Sequence, residues 1–317
     1  MITVEKLTKS FGPKLAVDHL TFSVAKGEVL GFLGPNGAGE STSMRLITGY
    51  LPPSDGKISV CGFDVSEQPL EARRKVGYLP ENAPIYSDMS VLGFLEFCAE
   101  LRGLFGPAKK QAIDRVVELC MLDRVIHQSV DTLSKGYRHR TCLAQAIVHD
   151  PEVLILDEPT DGLDPNQKHE VRSLIKRMGQ EKAIIFSTHI LEEVEAACTR
   201  ALIIDQGKIV ANGTPDELKA RAPLAGTLVV GLRNLSWAQL QPQLEPLTNL
   251  ERAELLSEEG SGVMARLHPK GAKGALLPEL FDLAHRYNWS VEHLNVDEGR
   301  LDDVFRSITL PDTGKTE

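Results

Sequence analysis

One stretch restricts the fold of this chain more than any other. Residues 34–42 read GPNGAGEST, directly after the apolar run EVLGFL and at the start of the helical stretch STSMRLITG. A strand, a glycine-rich turn and a helix in that order build an anion site. Backbone N–H groups at the turn point inward, and the dipole of the helix favours negative charge there. Gly34, Gly37 and Gly39 allow the backbone to curl closely around phosphate, with Pro35, Asn36 and Ala38 completing the loop. Ser41 is placed to set its hydroxyl on Mg²⁺, with Thr42 beside it. A loop of this kind calls for Lys after its last glycine, where it reaches the β- and γ-phosphates. Position 40 is Glu. Two unit charges about 4 Å apart interact by about 4 kcal/mol at an effective dielectric near 20. Exchanging the cation for an anion loses one attraction and adds one repulsion. A few kcal/mol amounts to roughly a hundredfold or more in affinity.

The rest of the chain supplies the frame for such a site. Short apolar runs, VLILDEP (153–159), AIIFSTH (183–189) and ALIID (201–205), each carry a polar residue at the C-terminal end. Alternating with helical segments, they predict an α/β fold with a parallel sheet buried on both faces, ligands gathering at the C-terminal strand ends. Between residues 90 and 125, VLGFLEFCAELRG and AIDRVVELCML have apolar residues at helical spacing and predict a helical insertion. Beyond about residue 222 the pattern changes. TLVVGL reads as a strand, Ser236 as the cap of a helix bearing Trp237, Leu240 and Leu244, and two strands flank the turn EEGSG at 258–262. A helix with Leu276, Leu280, Leu283 and Tyr287 in register, a strand SVEHLNV and a short helix LDDVFRSI follow. The order β-α-β-β-α-β suggests a small α+β, ferredoxin-like unit.

Composition excludes some classes of function. A net charge of −9 over 317 residues disfavours a dedicated nucleic-acid binder. There is no apolar run near eighteen residues, so no membrane-spanning helix is expected, and MITVEKLTKSFG lacks the apolar core of a signal peptide. The five cysteines are scattered and unpaired in spacing, which reads as free thiols in a reducing cytosol.

Two further motifs carry chemistry. In VLILDEPT, Asp157 is placed to hold Mg²⁺ and Glu158 to polarise an attacking water, with His189 ending the next strand where a γ-phosphate would lie. In LSKGYRHR (133–140), Ser134 and Gly136 could present a hydroxyl and backbone amides at a helix start.

Together these residues closely resemble the ATP-binding subunits of ATP-binding cassette (ABC) transporters over roughly residues 2–220. GPNGAGEST matches the phosphate loop apart from Glu40, LSKGY the signature, LILDEP the Mg²⁺-and-catalytic-Glu motif, DGLD (161–164) the loop that crosses between partners, and THI (188–190) holds the switch His. The resemblance implies that Phe11 stacks on adenine and that Ser134, Gly136 and Asp164 serve the ATP shared with a second cassette. It also implies a P-loop nucleotide-binding domain at 1–221 with a helical subdomain at about 82–145, and an accessory domain at 222–317. ATP and Mg²⁺ are the implied cofactors, the latter held by Ser41, Asp157 and Glu81. Glu81 stands where the family has Gln, so Glu158, His189 and Glu81 form the implied catalytic set. The signature's GGQ is KGY here, and His139 replaces a Gln.

GYLPENAPIY, LSKGY and LDDVFRSIT look like the export-type subgroup, which pairs with separately encoded integral membrane permeases. The implied assembly is a dimer of cassettes, each on the cytoplasmic face of the membrane through the permease, with no nucleic acid. Glu158, Ser134 and His189 are intact, which argues for a single change at position 40, recent or engineered, rather than long decay. The alternatives are a degenerate, non-hydrolysing regulatory cassette and a soluble cassette acting outside transport.

Overall fold

The structure is a computed structural model that describes every residue except 83–84, 261, 271–275 and 310–317. Ala83 and Pro84 of GYLPENAPIY and Ser261 of the EEGSG turn lie outside the described residues. The chain divides into two compact units, Met1–Pro215 and Asp216–Glu317.

The first unit opens with β1 (Ile2–Phe11), β2 (Lys14–Val24) and β3 (Val29–Leu33), then α1 (Glu40–Ile47). Next come β4 (Asp55–Val60), β5 (Phe63–Asp64), α2 (Pro69–Arg74) and β6 (Val76–Leu79). Three helices follow: α3 (Val91–Leu101), α4 (Gly106–Leu119) and α5 (Lys135–Ile147). The unit closes with β7 (Val153–Asp157), α6 (Pro165–Met178), β8 (Ala183–Ser187), α7 (Leu191–Ala197), β9 (Arg200–Asp205) and β10 (Lys208–Gly213).

Two sheets result. β2, β1, β4 and β5 form an antiparallel sheet that the sequence patterns did not announce. The other has the order β10-β9-β3-β8-β7-β6 and is parallel apart from the edge strand β10. Every residue of β3, β7 and β8 is buried. The cause is visible residue by residue. Leu154, Leu156, Ile184 and Phe186 enter one core with α3, α4 and α5, while Val153, Ile155, Ala183 and Ile185 enter the other with β1, β2 and α1. Successive strand side chains point to opposite faces, so a strand covered on both sides must be apolar throughout.

The register of this sheet positions the site. Leu156 pairs with Phe186 and Asp157 with Ser187, while Phe32 also pairs with Ser187. The C-terminal ends of β3, β8 and β7 therefore finish level, and the residues that follow each of them meet along one edge. The helical stretch is cut to length by its caps. Ser90 Oγ accepts from the Gly93 N–H at 3.1 Å to start α3, and Asp164 Oδ1 accepts from the Gln167 N–H at 2.9 Å to start α6, with Pro165 as its first residue.

The short helix α8 (Pro215–Lys219) spans the division, and the second unit continues with β11 (Leu228–Arg233), α9 (Trp237–Leu244), β12 (Leu250–Glu259), β13 (Gly262–Pro269), α10 (Leu276–Arg286), β14 (Ser290–Val296) and α11 (Leu301–Thr309). Its antiparallel sheet has the order β12-β13-β11-β14, the connectivity of a ferredoxin-like unit. Leu240 and Leu244 of α9 and Leu276, Leu280 and Leu283 of α10 pack on Val230 and Ala265 in its core. Tyr287 departs from the expected helical register. It falls past the end of α10, is 43% exposed, and stacks on Trp289 instead.

Phe186 is 1% exposed in the central strand β8. Phe186→Ala is expected to cost about 3–5 kcal/mol through lost burial and the cavity left behind, read as a lower urea midpoint with an unchanged slope.

Candidate active site

The loop between β3 and α1 has the shape its glycines predict. Gly37 and Gly39 have φ of 84° and 116°, a region that favours glycine. The Ala38 N–H donates to the Pro35 carbonyl at 2.9 Å, closing the turn. A Cβ on Gly39 would lie 2.6 Å from the Ala16 carbonyl oxygen, so β2 packs directly against the loop. Gly39 leads into α1 without any side-chain cap, which leaves the first N–H groups of the helix available to an anion.

Glu40 then turns back over this loop. A Cβ on Gly34 would sit 1.7 Å from Glu40 Oε1 and 2.6 Å from the Ile204 carbonyl oxygen. The carboxyl is therefore folded into the space above Gly34, against the end of β9. Its Oε1 is buried and has no hydrogen-bond partner. Burial, opposed by a hydrogen bond from its own backbone N–H and reinforced by the negative charges of Asp157, Glu158 and Asp205, pushes the Glu40 carboxyl up to about 7.

The other residues converge on Asp157, which is 1% exposed at the end of β7. Asp157 Oδ1 accepts from the Ser41 hydroxyl at 3.2 Å and from the Ser187 hydroxyl at 2.7 Å. Ser187 Oγ in turn accepts from the Glu158 N–H at 2.9 Å. Asp157 Oδ2 is buried without a partner. Glu158 has φ of 50°, an uncommon backbone for a side chain of its size, and such strain collects at functional sites. Burial raises the pKa of its carboxyl, opposed by the hydrogen bond from His189. His189 Nδ1 lies 2.9 Å from Glu158 Oε1. Phosphate-loop helix, acidic strand end and histidine are thus one connected network.

The motifs assigned no role to four residues here: Ser187, Thr160, Thr188 and Glu193. Ser187 joins Asp157 to the Glu158 backbone. Thr160 and Thr188, both nearly fully buried, donate their hydroxyls to Glu193. The sequence signal was slight, since hydroxyl residues flank each strand end and Glu193 sits in the charged stretch LEEVE.

The remaining site residues sit apart from that network. Ser134 caps α5, its Oγ accepting from the Tyr137 N–H at 3.3 Å. Gly136 is buried, and a Cβ there would meet the end of the Gln167 side chain, with Oε1 at 2.5 Å. Lys135 pairs with Asp161 at 2.8 Å, so the signature lies against the DGLD turn. His139 is partly buried with Nε2 unpartnered, and burial lowers its pKa. Asp164 acts within this chain as the cap of α6. Phe11 is 48% exposed at the β1–β2 hairpin with Lys9 Nζ 5.2 Å from its ring centre. Glu81 is exposed just beyond β6, the strand beside β7, and makes no hydrogen bond or ion pair among the described residues.

With this geometry in place, comparison with known proteins is direct. Residues 17–161 match the family model for ABC transporters. The chain is 36% identical over 261 residues to the Nod factor export ATP-binding protein I of Paraburkholderia xenovorans (strain LB400), covering 81% of this chain and 84% of that relative. The chain belongs to the ABC transporter ATP-binding proteins. It is also 36% identical over 234 residues to the linearmycin resistance ATP-binding protein LnrL of Bacillus subtilis (strain 168), covering 73% and 74%. A match at 37% identity to the probable multidrug ABC transporter ATP-binding protein YbhF of Escherichia coli (strain K12) spans only 38% of that longer protein. Among solved structures, the ATP-binding subunit of an ABC transporter superposes with a TM-score of 0.65 at 28% identity, covering 70% of this chain and 92% of that one. The dimeric cassette MJ0796 shares the fold, with a TM-score of 0.64 at 20% identity. The fold is that of a P-loop ABC ATPase.

The residues fit the implied ligands unevenly. The Ser41 hydroxyl and the unpartnered Asp157 Oδ2 suit a hard cation that takes oxygen ligands. The glycine backbone suits phosphate. The Glu40 carboxyl over Gly34 does not.

The Glu40 carboxyl is neutral in both folded and unfolded chains below its ordinary value of 4.5, and charged in both above about 7. Its cost to stability therefore grows as pH rises between those values, to about 3 kcal/mol at most. Glu40→Gln is expected to raise the melting temperature at pH 8 and leave it unchanged near pH 4.5, measured by differential scanning calorimetry.

Proposed function

We propose that this chain is the motor subunit of an export-type transporter, coupling ATP binding and hydrolysis to a separately encoded membrane permease, with an engine weakened by Glu40. The observation that carries this reading is the single network running from Ser41 through Asp157 and Ser187 to Glu158 and His189. It unites a phosphate-loop hydroxyl, a buried acid free to face a cation and a carboxylate backed by an imidazole. The Nod factor export and linearmycin resistance relatives support the export assignment.

Each residue has a role in this reading. The backbone of residues 34–39 binds the β- and γ-phosphates, and Ser41 with Asp157 would hold Mg²⁺, joined by Glu81 after closure. Bound there, the cation would supply charge neutralisation at the phosphates. Glu158 orients the attacking water and receives its proton, and its upward-shifted pKa suits a base more than an ordinary carboxylate would. His189 fixes the Glu158 carboxylate and contacts the γ-phosphate. Phe11 stacks on adenine. Ser134, Gly136 and Asp164 face the nucleotide of a second cassette, so the working form is a dimer. Residues of the helical subdomain at about 82–145 dock on the permease, which holds the chain at the cytoplasmic face, and the 222–317 domain acts as a dimer contact or lid. The exported substrate is chosen by the permease.

One observation favours a second reading for the chain as it stands. Glu40 already fills the space above Gly34, which suits a cassette that keeps its seat on the permease without hydrolysing.

The two readings separate in the assembled complex. Glu40→Lys is expected to raise ATP turnover at least tenfold, and equal turnover in both forms would remove Glu40 as the defect. In that background Glu158→Gln is expected to lower kcat about a hundredfold or more with little change in nucleotide affinity.

A further inference from the structure

The Glu193 side chain is fully buried in α7, 0% exposed. A buried carboxylate persists only where donors replace the water it has lost. Glu193 has them. Its Oε1 accepts from the Thr160 hydroxyl at 2.6 Å and its Oε2 from the Thr188 hydroxyl at 2.8 Å. Lys168 Nζ of α6 stands 3.7 Å from Oε1.

The two threonines belong to the two segments that bear the chemistry. Thr160 lies two residues after Glu158, in the strained turn that ends β7. Thr188 immediately precedes His189, and its Oγ1 also accepts from the Ile190 N–H at 3.1 Å, bracing the turn that holds the imidazole. The carboxylate takes one hydroxyl from each turn and so ties the two together. The same two turns carry the His189 Nδ1–Glu158 Oε1 contact at 2.9 Å. Lys168 extends the connection to the helix capped by Asp164. We infer that Glu193 is a positioning residue, whose carboxylate clamps the Glu158 and His189 turns into the geometry needed for water activation and links them to α6. Both of its oxygens are taken by protein hydroxyls. The inference rests on the hydrolytic reading only for its kinetic consequence. Its structural part stands without it.

Three substitutions separate clamping from mere filling of space. Glu193→Gln keeps one acceptor for a threonine hydroxyl, and its amide can donate to the other. Glu193→Met keeps the volume and loses both bonds. Thr188→Val removes one hydroxyl. The first readout needs no turnover: ¹⁵N-histidine NMR of the full chain as it stands, with the His189 signal assigned by its loss in His189→Ala. The wild type and Glu193→Gln are expected to show a hydrogen-bonded Nδ1, and Glu193→Met and Thr188→Val to lose it. The second is MgATP hydrolysis in the Glu40→Lys background. There Glu193→Met is expected to lower kcat at least tenfold with KM unchanged, and Glu193→Gln to stay within threefold.

An intact His189 signature in folded Glu193→Met, or equal behaviour of the Gln and Met variants, would overturn the clamp. If Glu193→Met does not fold, Thr188→Val decides in its place. If Glu40→Lys shows no hydrolysis, the hydrolytic reading fails while the NMR comparison still tests the clamp.

Discussion

The active-site edge of this protein is organised around one buried carboxylate. Asp157 cannot be solvated where it sits, so it must collect donors from its neighbours. It takes one from Ser41, at the start of the phosphate-loop helix, and one from Ser187, at the end of the adjacent strand. Ser187 passes the connection to the backbone of Glu158. Three segments far apart in sequence are held level by this arrangement. The parallel sheet makes it possible, because Asp157 and Ser187 are register partners whose strands end together.

A second buried carboxylate, Glu193, takes hydroxyls from the two turns that follow β7 and β8. The two differ in how they are satisfied. Asp157 keeps one oxygen unpartnered, which suits a group that receives a ligand. Both oxygens of Glu193 are occupied by hydroxyls, which suits a group that holds structure. Burial with incomplete satisfaction and burial with complete satisfaction thus mark two tasks within one site.

Much of this is legible in the amino-acid sequence. Short apolar runs ending in glycine or a polar residue located β3, β7, β8 and β9 nearly to the residue, since strands buried on both faces leave no alternation to misread. The helices α3 and α4 and the connectivity of the second unit followed from periodicity. The antiparallel sheet of β1, β2, β4 and β5 was missed, because its strands alternate irregularly through register shifts. Glu193 was missed because a Glu among other acids in a helix ordinarily faces solvent. Gly136 read as an anion-binding backbone, while its packing against Gln167 is a contact no local pattern encodes. At position 40 the sequence signalled lost affinity, but not where the side chain goes: the carboxyl lies over Gly34.

That placement has a thermodynamic consequence for any anion that enters the loop. A carboxyl pushed up to about 7 gains and loses its proton around neutral pH, so part of the molecules carry it. An incoming negative charge favours the protonated molecules, so binding draws hydrogen ions from solution. The observed heat of association then includes the ionisation heat of whatever buffer gives them up. Two buffers of the same pH and unequal ionisation enthalpy will report different binding enthalpies for one and the same event.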